Sequence, residues 1–307
     1  MHIRKISKNE ESTFRTHPST KIGYVSLNVS DIQRSLEFYV SILGFRKVGK
    51  STNDRALLSC SDENSSYLIE LLCKRQGESN SRIAKRARLY HFAILLPKRK
   101  HLADILRYLS HKGDQVHFDG LADHLVSEAI YIRDPDLNGI EIYCDRPYSK
   151  WKWKDGNSKN QLQMATSQLN TQELLKESTE KGWTGMPDET LIGHVHLHVE
   201  DLSKAMKFYH KILGLNLTMS YPGAYFFAAG TYHHHIATNT WLGTNILPAS
   251  PESTGLNHFG IKLPNRDEFN KTVKQIARYN PDTRGILSSD SIRLHDLNGF
   301  RIKAYYI

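Results

Sequence analysis

The sequence predicts an α+β fold built from four βαβββ modules, two in each half of the chain. The first indication is an internal repeat: KIGYVSLNVSDIQRSLEFYVSILGF, from Lys21, aligns without a gap with LIGHVHLHVEDLSKAMKFYHKILGL, from Leu191. The second is that two shorter pairs follow in the same order, LYHFAILLP with LNHFGIKLP and RDPDLNGIEIY with HDLNGFRIKAY. Matching segments in matching order indicate that a whole structural unit is duplicated.

Each half has the pattern of a strand, a helix and further strands, used twice. In the first half, residues 24–29 alternate apolar and polar side chains with period two, which is typical of a strand. Asp31 follows at a position that favours a helix N-cap, and Gly44 stands where the helix should end. A new strand begins at His91, a second helix follows, and IEIYCD closes the half as a strand. The second half repeats this order.

We expect two domains, each made of two modules, joined by a linker that packs on them through Trp151, Trp153 and Trp183. The linker is rich in polar and turn-forming residues and carries one short helical pattern, TQELLKEST. The predicted boundaries are a tail at 1–20, a first domain at 21–145, the linker at 146–190 and a second domain at 191–307.

Composition indicates a globular, cytoplasmic protein. Of the 307 residues, 39% are hydrophobic and 24% charged, and no stretch is long and apolar enough for a membrane span or a signal peptide. The three cysteines form no CxxC pair, which favours reduced thiols. The net charge of +9 comes from clusters such as PKRKH that lack interleaved aromatic residues, so we expect neither a nucleic-acid nor a membrane partner.

Histidine is concentrated in the strand HVHLHV. Side chains at alternate positions of a strand point to one face, so His194, His196 and His198 should face a common cavity while the valines and leucine between them face the helices. A second source is TYHHHIATNT, where strand alternation predicts that His233 and His235 share one face and His234 the other. These residues predict a metal site, or a polar histidine network without metal.

The repeat, the GHVHLHVEDL opening and the DPDLNGIEIY ending resemble the vicinal oxygen chelate superfamily over residues 21–307. This superfamily includes glyoxalases, antibiotic-resistance proteins and extradiol dioxygenases. Within it, the chain is most similar to bacterial catechol-2,3-dioxygenase-like proteins with two duplicated halves. The resemblance implies that paired modules curl into two half-barrel domains. It also implies a divalent metal held by two histidines and one carboxylate, a set that leaves coordination positions open on Fe(II).

The resemblance places the ligand positions on specific residues. In the second half, the two histidine positions fall on His194 and His258, and the carboxylate position falls on Lys303, or on Arg301 if the two DLNG strings are aligned. The matching positions of the first half are Tyr24, His91 and Glu141. Because neither half has all three ligands, we expect His235 to complete a site with His194 and His258. His91 with Glu141 is the first-half alternative.

The implied cofactor is a divalent metal, with Fe(II) preferred and Mn(II) or Zn(II) as alternatives. His196 or His198 is expected to be the acid–base residue, because imidazole titrates near neutral pH. His124, as a replacement histidine, and Glu70, as a cavity carboxylate, remain open.

The resulting functional hypothesis is an extradiol-type dioxygenase that cleaves a catechol-like aromatic ring with O₂. The expected partners are therefore a small aromatic substrate and O₂, and a homo-oligomer is considered. The alternatives are a non-catalytic protein that binds a small molecule and a glyoxalase-like lyase or isomerase. Fold alone does not separate these functions.

Overall fold

The computed structural model describes most of the chain, namely residues 14–61, 66–74, 85–154, 161–250, 253–279 and 287–307. The first 13 residues of the expected tail, and the middle of the basic stretch that precedes His91, lie outside the described residues.

The described residues form eighteen strands. They are β1 (Lys21–Val29), β2 (Arg46–Thr52), β3 (Arg55–Ser59), β4 (Ile69–Cys73), β5 (Arg88–Leu95), β6 (His117–Asp123), β7 (Ser127–Arg133), β8 (Gly139–Asp145), β9 (Trp153–Lys154), β10 (Gln161–Leu162), β11 (Ser167–Gln168), β12 (Leu191–His198), β13 (Asn216–Tyr221), β14 (Ala224–Ala228), β15 (Ile236–Asn239), β16 (Gly255–Lys262), β17 (Ser291–His295) and β18 (Arg301–Tyr305). The α-helices are α1 (Ile32–Leu36), α2 (Arg99–Ser110), α3 (Thr171–Leu175), α4 (Leu202–Ala205) and α5 (Arg266–Tyr279).

The predicted fold class is confirmed: the protein is α+β, with modules of the expected strand–helix–strand pattern in two large sheets. One sheet has seven strands in the order β17-β18-β16-β1-β4-β3-β2. The other has nine, in the order β11-β6-β7-β8-β5-β12-β15-β14-β13. Neither closes into a barrel.

The pairing of the modules differs from the expectation. The opening strand β1 pairs antiparallel with β16 of the last module, and β12, which opens the second half, pairs antiparallel with β5 of the first half. The expectation that modules pair within each half is therefore wrong. Each sheet draws on both halves, and the domain boundaries at 21–145 and 191–307, which separate the halves along the chain, remain a prediction.

The helix expected after the first strand begins and ends as predicted but changes its winding. The Asp31 carboxylate accepts hydrogen bonds from the backbone N–H groups of Gln33 and Arg34, which caps α1. The helix then continues as a π-helical segment over Glu37–Ile42 and ends at Gly44, whose φ of 84° suits glycine.

Tyrosine–aspartate hydrogen bonds keep the two modules of each half in contact. Tyr39 donates from the first module to Asp134 in the turn before β8, at 2.9 Å. Its repeat partner Tyr209 donates to Asp296 at 2.7 Å. All four side chains are buried, so these bonds are formed away from competing water.

Two of the three expected tryptophans, Trp151 and Trp153, pack together in the linker beside the nine-stranded sheet, and the third, Trp183, packs against the main hydrophobic core. Trp151 is buried against Val126 and Leu162, and Trp153 lies over the same cluster. The linker also adds the short edge strand β11 beside β6. Among the described residues, no helix is both long and apolar enough to span a membrane.

Candidate metal centre

The candidate centre is built on three adjacent strands of the nine-stranded sheet. Ala93 on β5 is the register partner of Glu141 on β8 and of His194 on β12. His91 lies two residues before Ala93 and therefore projects from the same face of the central strand. Because the Ala93 side chain between them is small, the Glu141 carboxylate and the His194 imidazole can meet, and His91 lies beside the carboxylate.

Three ligand-type atoms converge at this place. His91 Nε2 lies 3.0 Å and His194 Nε2 lies 3.1 Å from Glu141 Oε2. One such atom from each residue lies within 4.8 Å of the other two, and all three side chains are buried. The sheet therefore assembles two histidines and one carboxylate, from both halves of the chain.

The hydrogen bonding of the group fits a cation. His91 Nε2 is buried and is not aligned for a hydrogen bond with Glu141, despite their short separation. The group thus offers two imidazole nitrogens and one carboxylate oxygen that face a common point, and one of the nitrogens has no hydrogen-bond partner. This is a donor set that suits a divalent transition metal. His194 Nδ1 is also buried without a hydrogen-bond partner.

Electrostatics favour the same assignment. Burial alone would raise the pKa of Glu141, but the adjacent His194 and His91 hold it well below the usual value, so the carboxylate is ionised. Burial lowers the pKa of His194 to about 4, against the attraction of Glu141, so this imidazole is neutral at pH 7. A neutral imidazole and an ionised carboxylate are the forms that bind a metal.

His258, predicted as a metal ligand with His194, lies in the seven-stranded sheet instead. Its Nε2 is 2.9 Å from the hydroxyl of Tyr24. Burial, together with nearby cations and against the attraction of Glu70, lowers the pKa of His258 to about 4. The sequence interpretation placed His258 with His194 because it assumed that modules pair within a half.

Strand pairing decides whether Lys303 or Arg301 occupies the position that corresponds to the carboxylate. Gly260 on β16 is the partner of both Tyr24 and Lys303, as Ala93 is the partner of His194 and Glu141. Lys303, not Arg301, is therefore the counterpart of Glu141. The seven-stranded sheet thus carries Tyr24, His258 and Lys303 where the nine-stranded sheet carries the two histidines and the carboxylate.

His235, the third predicted ligand, also lies away from His194. Its Nδ1 accepts a hydrogen bond from the Ala229 backbone N–H, and its ring borders a separate cavity near Pro18 and Trp151. The prediction failed because β15 begins only at Ile236, so strand alternation does not govern the preceding residues. His234, expected to point away, stacks instead near His194, with ring centroids 4.1 Å apart.

A second group of possible ligands consists of His194, His233 and His234. His233 is already hydrogen-bonded to Asp145 at 3.0 Å and to His234 at 2.8 Å. This group has no carboxylate among its ligand atoms, whereas Glu141 offsets part of a dication's charge. We therefore take His91, Glu141 and His194 as the candidate centre.

The two histidines predicted to be catalytic are both buried on β12. His196 is the register partner of His91, and its Nε2 accepts a hydrogen bond from the Asn239 amide at 2.9 Å. His198 is held by the Asn239 carbonyl oxygen at 2.6 Å. His196 borders the cavity described next, and His198 is absent from its lining.

A cavity of about 520 Å³ opens beside the candidate centre, within the size range of small-molecule sites. His91, Glu141, His196 and His234 border it, whereas His194, which contacts Glu141, is absent from its lining. Its aromatic and linker residues include Tyr90, Tyr131, Tyr221, Phe226, Trp241, Met164, Ala165 and Thr166. The linker is therefore also part of the cavity wall.

The two residues left open by the sequence have different surroundings. His124 borders the cavity and faces the Tyr131 hydroxyl at 2.7 Å through Nε2, while its Nδ1 donates to the Ala165 carbonyl. It is a neighbour of the centre and not one of the three converging ligands. Glu70 lies in the seven-stranded sheet, buried and paired with Arg55 at 2.8 Å.

Sequence reasoning missed the combination of His91 and Glu141 with His194, and missed Tyr131, Trp241 and His234 as cavity residues. The first-half site lacked a histidine at Tyr24, and the second-half site lacked a carboxylate at Lys303. These losses are complementary, so exchanging one module between halves gives one complete set. This complementarity is the feature of the sequence that could have predicted the combined site.

Known proteins resemble this chain in sequence or in fold. A curated relative, the catechol-2,3-dioxygenase of Bacillus subtilis (strain 168), is 39% identical over 267 residues, which cover 85% of this chain and 88% of the relative. A crystal structure of a protein from Bacillus subtilis subsp. subtilis str. 168, assigned as a dioxygenase, has a TM-score of 0.61 at 13% identity and covers 95% of this chain and 86% of its own. Glyoxalase I from Zea mays has a TM-score of 0.54 at 14% identity, covering 94% and 92%.

At these low identities, the structural likenesses concern the fold. The family model of the Glyoxalase/Bleomycin resistance protein/Dioxygenase superfamily matches residues 21–142 and 191–286, more than half of the chain. The resemblance inferred from the sequence is confirmed, and the chain belongs to this superfamily.

Proposed function

We propose that this protein is a metal-dependent, extradiol-type dioxygenase that opens a catechol-like aromatic ring with O₂. The observation that carries the proposal is the meeting of His91, Glu141 and His194 beside a cavity with aromatic walls. Two histidines and a carboxylate with open positions are the donor set of non-haem Fe(II) oxygenases. The similarity to a catechol-2,3-dioxygenase over most of both chains supports the oxidoreductase class.

The three side chains would hold the metal. Bound there, Fe(II) would act as a Lewis acid toward the two vicinal oxygens of a diol and provide a place for O₂ beside them. Mn(II) and Zn(II) accept the same donors and remain the alternatives. The overall reaction needs no external reductant, because both atoms of O₂ enter the product as the carbon–carbon bond beside the diol breaks.

The aromatic wall suits a flat substrate. The ring centroids of Tyr90 and Trp241 are 5.6 Å apart, and Phe226 lies at 5.9 Å from His196 on the same side of the cavity. Trp241 is half exposed, which places it where the cavity meets solvent. A catechol ring packed against these faces would present its two oxygens toward His91 and Glu141.

Two residues near the carboxylate are suited to proton handling. The His124 ring donates from Nδ1 to a carbonyl oxygen, which leaves its Nε2 to accept from the Tyr131 hydroxyl. Burial, and then the charge of Glu141, raise the pKa of Tyr131 well above its usual value, so it remains a hydroxyl donor.

In this proposal His234 takes the acid–base role that the sequence gave to His196 or His198, and His196 orients the substrate.

Neither half alone has a full ligand set, which would favour a non-catalytic binding protein. Because His91, Glu141 and His194 together form a full set from both halves, this reason for the alternative no longer holds. The cytoplasmic location and a homo-oligomer remain predictions.

Metal content and oxygen consumption test the proposal together. Protein purified without oxygen and loaded with Fe(II) should hold about one ion per chain and consume O₂ when catechol is added, with a yellow ring-opened product. Glu141→Ala should hold no iron and consume no O₂. Iron that is bound without O₂ consumption on catechol or substituted catechols would reject the dioxygenase assignment. Conversion of a hemithioacetal would favour the glyoxalase-like alternative.

A further inference from the structure

A chain of hydrogen bonds leads from Asp145 to the cavity. Asp145 Oδ1 lies 3.0 Å from His233 Nε2, and His233 Nδ1 lies 2.8 Å from His234 Nδ1. His233 is fully buried, and His234 is 8% exposed, where it borders the metal cavity. The Asp145 side chain is 26% exposed. The chain therefore connects a partly solvated carboxylate with a histidine beside the candidate centre.

The direction of donation along this chain follows from the chemistry of its first member. A carboxylate can only accept, so His233 Nε2 carries the hydrogen. With that single hydrogen on its ring, His233 has a bare Nδ1, which accepts from His234 Nδ1–H. A neutral His234 with its hydrogen on Nδ1 has a bare Nε2. The lone pair of that Nε2 is the ring acceptor of His234 that this chain of hydrogen bonds does not use.

The carboxylate is itself fixed. Its second oxygen accepts from the Tyr232 hydroxyl at 2.9 Å, so Tyr232 in turn accepts from the Tyr143 hydroxyl, which lies 2.7 Å away. Tyr143 and His233 are fully buried. The two oxygens of Asp145 thus have separate donors, Tyr232 and His233, which hold the carboxylate in one orientation.

We propose that Asp145 acts through His233 as a positioning residue that fixes His234 in the Nδ1–H form. The bare Nε2 of His234 then faces the cavity, where it can accept a hydroxyl proton from a bound diol. The use of this lone pair rests on the proposed dioxygenase function. The fixed tautomer does not, because it follows from the hydrogen-bond geometry of this chain and from a His233 ring that carries a single hydrogen.

Nitrogen-15 NMR of histidine-labelled, metal-free protein tests the tautomer directly, since two-bond couplings distinguish Nδ1–H from Nε2–H rings. We expect Nδ1–H for His234 and Nε2–H for His233, with signals assigned by their loss in His234→Gln and His233→Gln. Asp145→Ala should abolish the single form of His234. Tyr232→Phe is the matched control, because it removes the other partner of Asp145 but leaves the carboxylate that His233 needs.

An Nε2–H form of His234 in the wild type, or a doubly protonated His233, would overturn the proposal. So would an unchanged His234 tautomer in a folded Asp145→Ala protein. In the Fe(II)-loaded enzyme, Asp145→Asn should lower kcat for catechol by about 10–100-fold, as for other outer partners of an active-site histidine, with little change in KM. If no catechol turnover exists at all, the proposed function fails while the NMR result still decides the tautomer.

Discussion

Glu141 Oε2 lies 3.1 Å from His194 Nε2, although 53 positions and the whole linker separate the two residues along the chain. The contact exists because β5, from the first half, lies between β8 and β12 in one sheet. A metal at this point would be bound by residues of both halves, so its loss should destabilise both.

The ligand assignment predicts which substitutions remove the metal. His91→Ala, Glu141→Ala and His194→Ala should each lower the affinity for Fe(II) or Zn(II) by more than the roughly 10–100-fold typical of a lost outer partner. His258→Ala should leave the affinity unchanged, because His258 lies with Tyr24 in the other sheet. Isothermal titration of the metal-free proteins measures this. Retained binding in Glu141→Ala with loss in His258→Ala would reverse the assignment.

The internal repeat allowed the fold class and the individual modules to be predicted, because a duplicated pattern of alternation and capping is local. Which modules pair could not be predicted in this way. The opening strands β1 and β12 share almost all their apolar residues, so each could pair with the strand that opens the second module of either half, β5 or β16. The site depends on that choice. His91 and Glu141 were identified as a pair because they share one module, whereas His194 joins them only through the sheet order.

Acid should destabilise the metal-free protein through its buried histidines. Burial lowers the pKa of His194, His198 and His258 to about 4 and that of His235 to about 3, from 6.5 in an unfolded chain. Between these values and pH 6.5, the unfolded state binds protons that the folded state does not. The free energy of unfolding therefore rises with pH across this window and falls on acidification, by about 1.4 kcal/mol per pH unit for each proton.

His235 isolates one proton of this effect, because it lies outside the metal centre. His235→Asn should reduce the loss of unfolding free energy between pH 7 and pH 5 by about 1–2 kcal/mol, measured by urea unfolding of the metal-free protein. His295→Asn, at an exposed position, is the control and should behave as the wild type. An equal pH dependence in all three proteins would contradict the assignment to His235.

Two repeat-related glycines should differ in what their substitution damages. A Cβ on Gly193 would lie 1.8 Å from the Tyr143 hydroxyl oxygen, and one on Gly23 would lie 2.0 Å from that of Tyr305. Each added methyl forces a tyrosine to move, which costs about 1–3 kcal/mol. Tyr143 is fully buried and bonded to Tyr232, whereas Tyr305 is only partly buried and can move more easily.

Gly193→Ala should therefore be the more destabilising change, and it should also weaken metal binding because the residue precedes His194. Gly23→Ala should lower stability without altering metal affinity. Urea unfolding and metal titration on both proteins separate the two effects. A Gly23→Ala protein that loses metal, or a Gly193→Ala protein as stable as Gly23→Ala, would contradict the packing argument.

The seven-stranded sheet should be convertible into a second metal site. Tyr24 and Lys303 flank Gly260 as His194 and Glu141 flank Ala93, and His258 is the counterpart of His91. Tyr24→His combined with Lys303→Glu would complete two histidines and a carboxylate there. The change also replaces a cation with an anion, which removes repulsion toward a dication. Arg293 and Arg301, whose charges already act on His258, should leave this site weaker than the original.

The test is made in a Glu141→Ala background, where the original centre lacks its carboxylate. Co(II) titration of this triple variant should show about one ion per chain with the absorption of a nitrogen–oxygen ligand set. Adding His258→Ala should abolish it, and Lys303→Glu alone should not create it, because Tyr24 would still fill the histidine position. A folded triple variant that binds no Co(II) would show that the two sheets are not equivalent in the geometry that matters for a metal.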